Sequence, residues 1–364
     1  MLYLNLTSLI IFGLLLIIKG ADLFVDAASW LAKHFGISDI IIGATVVSIG
    51  TTLPEFFSSL TAAIMGAANP AQAAEFNALA VSNALGSMLF NTAVVLALVM
   101  LIKPPKTEGK SFVTKGLFLV GVTALLAVFV VADGYIALWQ GIVLIAMFLV
   151  FITVNVLEAT GEIKAAAVPV EPLPITPTNT TLPVGSSKIN NGCSGQSLAP
   201  SRSQAPNQNL APISLLKLLL GAAMITLGAI LLVDNSQTLA AHMGIPEQIV
   251  GLTVVAAGTS LPELVTSLTA LKKGKTDIGV GNIIGANIIN ATLILGVVTA
   301  VAGSGGLPID AITRYVVVWV TLGVTAILVI PSVFLKKTTR AQGGLMLVAY
   351  LALLCYNIVA VVRS

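Results

Sequence analysis

Residues 36 to 62 read GISDIIIGATVVSIGTTLPEFFSSLTA and residues 244 to 270 read GIPEQIVGLTVVAAGTSLPELVTSLTA, with sixteen of the 27 aligned positions identical. Each copy carries one carboxylate, Glu55 or Glu263, directly after a Gly-Thr-Thr/Ser-Leu-Pro run and inside an otherwise apolar segment. An ionised carboxylate deep in a bilayer costs about 2.5 kcal/mol or more. A buried acid that occurs twice in one motif therefore calls for a partner that is present both times.

Working outward, the chain has the composition of a membrane protein. Of 364 residues, 57% are hydrophobic and 9% charged, with a mean hydropathy of +1.01. Ordinary soluble domains are about one-quarter charged, so a soluble enzyme or a nucleic-acid-binding domain is excluded. A helix needs about 20 apolar residues to cross a bilayer, and ten stretches qualify: 3–25, 38–66, 77–102, 112–131, 135–157, 212–233, 245–271, 277–302, 312–334 and 342–362. The first lacks a basic leader and a cleavage site and reads as a retained helix. The two motif-bearing spans are long, with Gly and Pro in mid-segment, and are expected to be broken or kinked.

Residues 159–211 differ in kind, with seven prolines among Asn, Thr, Ser, Gln and Gly. Such a segment is expected to be a disordered cytoplasmic linker; its few acids, such as Glu162 and Glu171, form no calcium-binding loop. The linker separates five spans (1–158) from five (212–364). Five is odd, so the second copy enters the membrane from the opposite side. The expected fold is thus an all-α polytopic membrane protein of ten transmembrane helices, arranged as two inverted five-helix repeats. With the N-terminus outside, sixteen of the eighteen Lys and Arg residues fall on the cytoplasmic side. The positive-inside bias therefore predicts a multi-pass cell-membrane protein with both termini extracytoplasmic. The cysteines, Cys193 and Cys355, suggest no disulfide.

No span contributes a mid-membrane Lys, Arg or His, which leaves mobile cations, protons or bound metal as partners for the two acids. On a helix, Ser48, Thr51, Thr52, Glu55 and Ser59 share a face, as do Thr259, Ser260, Glu263 and Ser267. Pro54 and Pro262 have no N–H to give the carbonyls of Gly50 and Gly258. In the adjoining spans NALGSMLFN (83–91) aligns with NIIGANIIN (282–290), placing Asn83, Ser87 and Asn91 on one face and Asn282, Ala286 and Asn290 on its counterpart. Carboxylate, hydroxyl and carbonyl oxygens are the hard ligands that calcium takes. The bland alternatives are that Ser58, Thr61 and Thr269 bond to their own helices, that Asn83 and Asn282 tie helices together rather than bind ions, and that Asp22, Asp26 and Asp234 are solvated boundary charges.

With GTTLPE, GTSLPE and the two G-S/A-x-x-x-N segments, the chain resembles the cation/calcium exchanger superfamily, specifically its prokaryotic sodium/calcium exchanger branch. The resemblance implies antiport of sodium against calcium by alternating access, with the ions as cargo and no cofactor or enzymatic activity. By position it implies metal ligands at Thr51, Thr52, Glu55, Ser87 and Asn91, at Thr259, Ser260, Glu263 and Asn290, and at the backbone carbonyls of Ser48 and Ala256. Many prokaryotic relatives have Ser and Asp where this chain has Ala286 and Asn290, so the sodium ligands are expected to be lopsided between the halves. A proton/calcium antiporter of the same superfamily is the alternative. The expected partners are calcium, sodium and the lipid bilayer, with no nucleic acid, and function as a monomer.

Overall fold

In the computed structural model, residues 2–107, 109–167, 211–243 and 256–363 are described, and helix occupies all ten expected stretches. Spans 1 to 10 are Leu2–Phe35; Asp39–Thr51 with Leu53–Ala68; Pro70–Ile102; Lys110–Asp133; Leu138–Ala167; Ala211–His242; Ala256–Thr259 with Leu261–Lys272; Thr276–Ala302; Thr313–Leu335; and Arg340–Arg363. Seven of these helices are long and apolar enough to cross a membrane, and the bent pair of span 2 makes an eighth. Span 10 is apolar over the shorter stretch Arg340–Tyr356. The first part of the second motif, 244–255, and most of the expected linker, 168–210 with Cys193, lie outside the described residues. Helix continues through Ala167, so the segment from 159 to 167 extends span 5 rather than opening the linker.

Span 2 bends by 46° between Asp39–Thr51 and Leu53–Ala68. Thr52 leaves helical geometry (φ −85°, ψ 0°), and Pro54 falls in the first turn of the new helix. Span 7 repeats this at Ser260 (φ −90°, ψ 3°), with Pro262 in the first turn. The missing proline N–H is harmless there because first-turn amides have no intrahelical acceptor. The expected break is present, but the prolines start helices rather than kink continuous ones.

The connections meet at two ends, as alternating spans require. At one end Lys106 pairs with Lys337 in an antiparallel bridge, Lys275 bonds Asp39 at 2.9 Å, and the Ser38 amide donates to Glu162 at 2.7 Å. At the other, strands β1 (Tyr135–Ile136) and β2 (Leu307–Pro308) pair antiparallel, and Arg314 donates to the Val131 carbonyl at 2.6 Å. These two loop clips are counterparts under the inverted repeat. Gly134 accepts from the Ile309 amide at 3.1 Å as Lys336 accepts from the Thr107 amide at 3.0 Å. Gln140 and Gln342 each accept the backbone N–H three residues earlier, that of Ala137 and of Thr339, both at 2.8 Å.

Glycine lets the halves touch backbone to backbone. A Cβ added at Gly13 would lie 2.7 Å from the Gly228 carbonyl oxygen, and one at Gly20 2.9 Å from that of Gly221, which sets span 1 against span 6. Gly43 of span 2 meets Gly281 of span 8 in the same way. Leucine, isoleucine, valine and alanine from spans 3, 4, 5, 8 and 9 fill the interior around these contacts.

Ion pairs add to the expectations about charge. Lys115, within span 4 and one of the sixteen bases assigned to the cytoplasmic side, is buried and bonded to Glu158 of span 5 at 2.5 Å. Asp22 and Asp26 are solvated, as expected of boundary charges, and Lys273 bonds them at 3.3 and 2.9 Å. The lysine's single charge thereby serves two acids one helical turn apart on span 1.

Candidate functional site

Both breaks place their glutamates in the first turn of a half-helix, where unpaired backbone N–H groups and the helix dipole favour negative charge. Glu55 and Glu263 are wholly buried. Each takes a hydroxyl from the residue at the opposite half's break: Thr52 donates to Glu263 Oε1 at 3.1 Å and Ser260 to Glu55 Oε1 at 3.4 Å. The two acids, which the sequence separates by 208 positions, thus share one junction.

A second reciprocal pair holds the junction together. Asn83 donates to the Glu55 carbonyl at 3.1 Å and to Ser59 at 2.8 Å, and it accepts from Thr259 of the other half at 3.2 Å. Its counterpart Asn282 accepts from Thr51 at 3.0 Å and donates to Ser267 at 3.5 Å. The structure therefore answers the question left open for these asparagines: their amides tie broken helix to broken helix. Ser59 and Ser267, one turn beyond the acids, are absorbed into the same ties and into the carbonyls of Ala80 and Gly279.

The remaining expected ligands divide. Ser87 is buried, with its hydroxyl 3.5 Å from that of Thr259. Asn91 and Asn290 are wholly buried, and each is the first residue of a π-helical turn, Asn91–Leu96 and Asn290–Ile294. Such wide turns free backbone groups and recur at functional positions. Among the described residues, Glu55 Oε2, Glu263 Oε2 and both amide atoms of Asn91 and Asn290 are buried without a protein hydrogen-bond partner. Ser48 lies beyond the break, so it does not share the straight helical face expected of it. Its hydroxyl donates to the Thr45 carbonyl at 3.1 Å, and its own carbonyl accepts from the Thr52 amide at 3.0 Å and from Thr51 Oγ1 at 3.4 Å. Ala256 begins the short helix before the second break. Ala286 is buried where the first half has Ser87, so the hydroxyl asymmetry is real.

The reading of the sequence missed Asn287. It is buried and donates to Thr92, the residue after Asn91, at 2.5 Å. Its counterpart in the first half is Met88, so the repeat gave no cue to it. Thr61 is exposed and Ser58 and Thr269 are half-buried, away from the central cluster.

Two broken helices meet across an inverted repeat and bury two carboxylates among neutral oxygen groups, which is the construction of a secondary transporter. Residues 5–157 and 213–359 match the family model described as sodium/calcium exchanger protein, and the chain belongs to that family. It is 35% identical to inner membrane protein YrbG of Escherichia coli over 80% of this chain and 78% of that one. It is 31% identical to the putative antiporter CaxA of Alkalimonas amylolytica over 95% and 96%, and 29% identical to the sodium/calcium exchanger MaX1 of Methanosarcina acetivorans over 79% and 81%. Solved structures of the sodium-calcium exchanger NCX_Mj superimpose with a TM-score of 0.70 at 27% identity, covering 97% of this chain and 98% of theirs.

Proposed function

We propose that the chain exchanges sodium for calcium at the junction of the two broken helices, with Glu55 and Glu263 as the charged ligands. The observation that carries this reading is the set of buried, unpaired oxygens contributed by both halves: one from each glutamate and one each from Asn91 and Asn290. Burial without a partner costs a polar group about 1–3 kcal/mol, and a cation that takes these oxygens as ligands removes the cost. Two carboxylates match the charge of one calcium ion.

Sodium ions occupy overlapping positions and draw on the neutral oxygens of Thr51, Thr52, Ser87, Asn91, Thr259, Ser260 and Asn290. The carbonyls of Ser48 and Ala256 complete the set; rotation of the Thr51 hydroxyl away from Ser48 strips one hydrogen bond from that oxygen. Calcium and the full sodium load compete for the same carboxylates, and that exclusion couples the two fluxes. With three sodium ions exchanged for one calcium, one net charge crosses per cycle, worth about 2.3 kcal/mol per 100 mV. The names of MaX1 and NCX_Mj support sodium and calcium as the ions, and the gathering of bases at one end supports both termini on the outer face.

The test is calcium uptake into vesicles reconstituted with the protein. Uptake should follow an imposed sodium gradient, reverse when that gradient alone is reversed, and vanish in Glu55→Gln and Glu263→Gln. Uptake driven by a proton gradient without sodium would replace this reading with proton/calcium exchange. Coupled uptake retained in both variants would refute the site.

A further inference from the structure

The two loop clips share a backbone plan and differ in chemistry. In the clip at one end, the positions that meet are Gly134 and Tyr135 from one loop and Pro308 from the other. Their counterparts at the opposite end are Lys336, Lys337 and Lys106. The plan therefore forms without cations, and the lysines are additional to it.

Lys336 makes the point most sharply. It takes a left-handed conformation (φ 54°) to aim its carbonyl at the Thr107 amide, and among the described residues it is the one non-glycine with positive φ. Gly134 performs the same turn at φ 72°. Glycine does so without the steric cost of a Cβ, so Lys336 carries a cost at this turn that the plan itself does not require.

Buried hydrogen bonds hold these cations together. The Thr338 amide donates to Pro105 at 3.0 Å, Thr107 Oγ1 to the Ser332 carbonyl at 2.7 Å, and Thr338 Oγ1 to Pro105 at 3.1 Å. Lys106, Lys336, Lys337 and Arg340 are all exposed. None of them forms an ion pair with a described carboxylate, whereas Lys115, Lys273 and Lys275 do. Asp39 and Asp277 line a cleft beside Lys103 and Lys106, where Lys275 binds Asp39. Glu108, in the same loop, lies outside the described residues.

The clip also lies directly at the end of an apolar span. Lys336 follows Leu335, the last residue of span 9, and Phe334 beside it is 81% exposed. Clustered cations directly beyond the apolar end of a membrane helix match anionic lipid headgroups.

We propose that the clip formed by residues 103–107 and 336–340 binds the phosphodiester headgroup of an anionic phospholipid, with Lys106, Lys336 and Lys337 as the cations. Phe334 and Ile102 lie alongside the acyl chains. The inference does not depend on which ions the central site carries.

The test is retention of lipid by the full-length protein, read by native mass spectrometry after exchange into phosphatidylglycerol or phosphatidylcholine. Wild type should retain phosphatidylglycerol preferentially, and Lys106→Gln/Lys336→Gly/Lys337→Gln should lose about tenfold or more in affinity. Lys336→Gly alone should raise the unfolding temperature in neutral detergent, because it relieves the turn, yet weaken retention of the anionic lipid. A clip that served only structure would move both readouts in the same direction. Equal retention of the two lipids, unchanged retention in the triple variant, or complete displacement by inorganic phosphate would overturn the proposal.

Discussion

Gly281→Ala tests whether backbone contact between the halves sets the geometry of the ion site. Gly281 of span 8 packs on the first part of the motif in span 2, and a Cβ there would run into the Ile40 carbonyl oxygen while lying 2.9 Å from the Ala44 amide and 3.1 Å from Gly43 Cα. All three obstacles are backbone, so no side chain can swing away. Restoring ordinary contact requires the helices to part by about half an ångström or more, an overpacking that costs about 1–3 kcal/mol. Span 2 carries Glu55 and span 8 carries Asn290, so parting the helices moves ligands of one site relative to one another. Calcium–oxygen distances fall within a window of about 0.3 Å, narrower than the displacement. Gly281→Ala should therefore lower the apparent unfolding temperature and weaken calcium binding by about tenfold or more, read as the calcium-dependent shift of that temperature. Gly323→Ala is the control. A Cβ there meets nothing within 4 Å, and in a helix interior the change should be neutral or stabilise by up to about 1 kcal/mol. Equal responses in the two variants, or a destabilised Gly281→Ala with unaltered calcium affinity, would refute the link between packing and site geometry.

Two further outcomes follow from the site and the fold. Thr52→Val and Ser260→Ala each remove a hydroxyl that reaches the opposite half's glutamate. Each should raise the sodium concentration needed for half-maximal exchange more than the calcium concentration, by about tenfold for sodium, equivalent to about 1.4 kcal/mol, because both hydroxyls are proposed sodium ligands whereas calcium rests on the carboxylates; an equal effect on both ions would mean that the hydroxyls only hold the carboxylates in place. Glu158→Leu leaves the buried Lys115 ammonium without its carboxylate and should destabilise by about 3 kcal/mol, near the low end for breaking a buried pair since Glu158 is partly exposed. Adding Lys115→Met should recover most of that loss in a thermal unfolding assay, and failure to recover would show that the pair contributes more than charge balance.

Much of this protein could be read in one dimension. Apolar length gave the spans, because a bilayer permits few ways to satisfy a backbone. The repeated motif across an odd number of spans gave the inversion, and the alternation put Lys103, Lys106, Lys275 and Lys337, which meet at one end of the bundle, on the same side. The helix breaks were legible too, since Gly and Pro in mid-span mark them.

What the sequence left open was every contact between the halves. Asn83 and Asn282 could equally have been ligands or ties, and only the positions of Thr259 and Thr51 decided the matter. Ser48 seemed to share a face with Glu55 until the break at Thr52 turned that face away. The burial of Lys115 was not legible because its partner, Glu158, is 43 residues distant and joined to it only by packing. Asn287 and the left-handed Lys336 had no signal at all, since one acts through another span and the other is defined by a torsion angle. The physical reason is common to all of them. Hydropathy and turn chemistry are sums over neighbours in the chain, whereas a cation site and a cross-half hydrogen bond depend on distances of about 3 Å between residues some 200 positions apart, which exist only once the two repeats have packed.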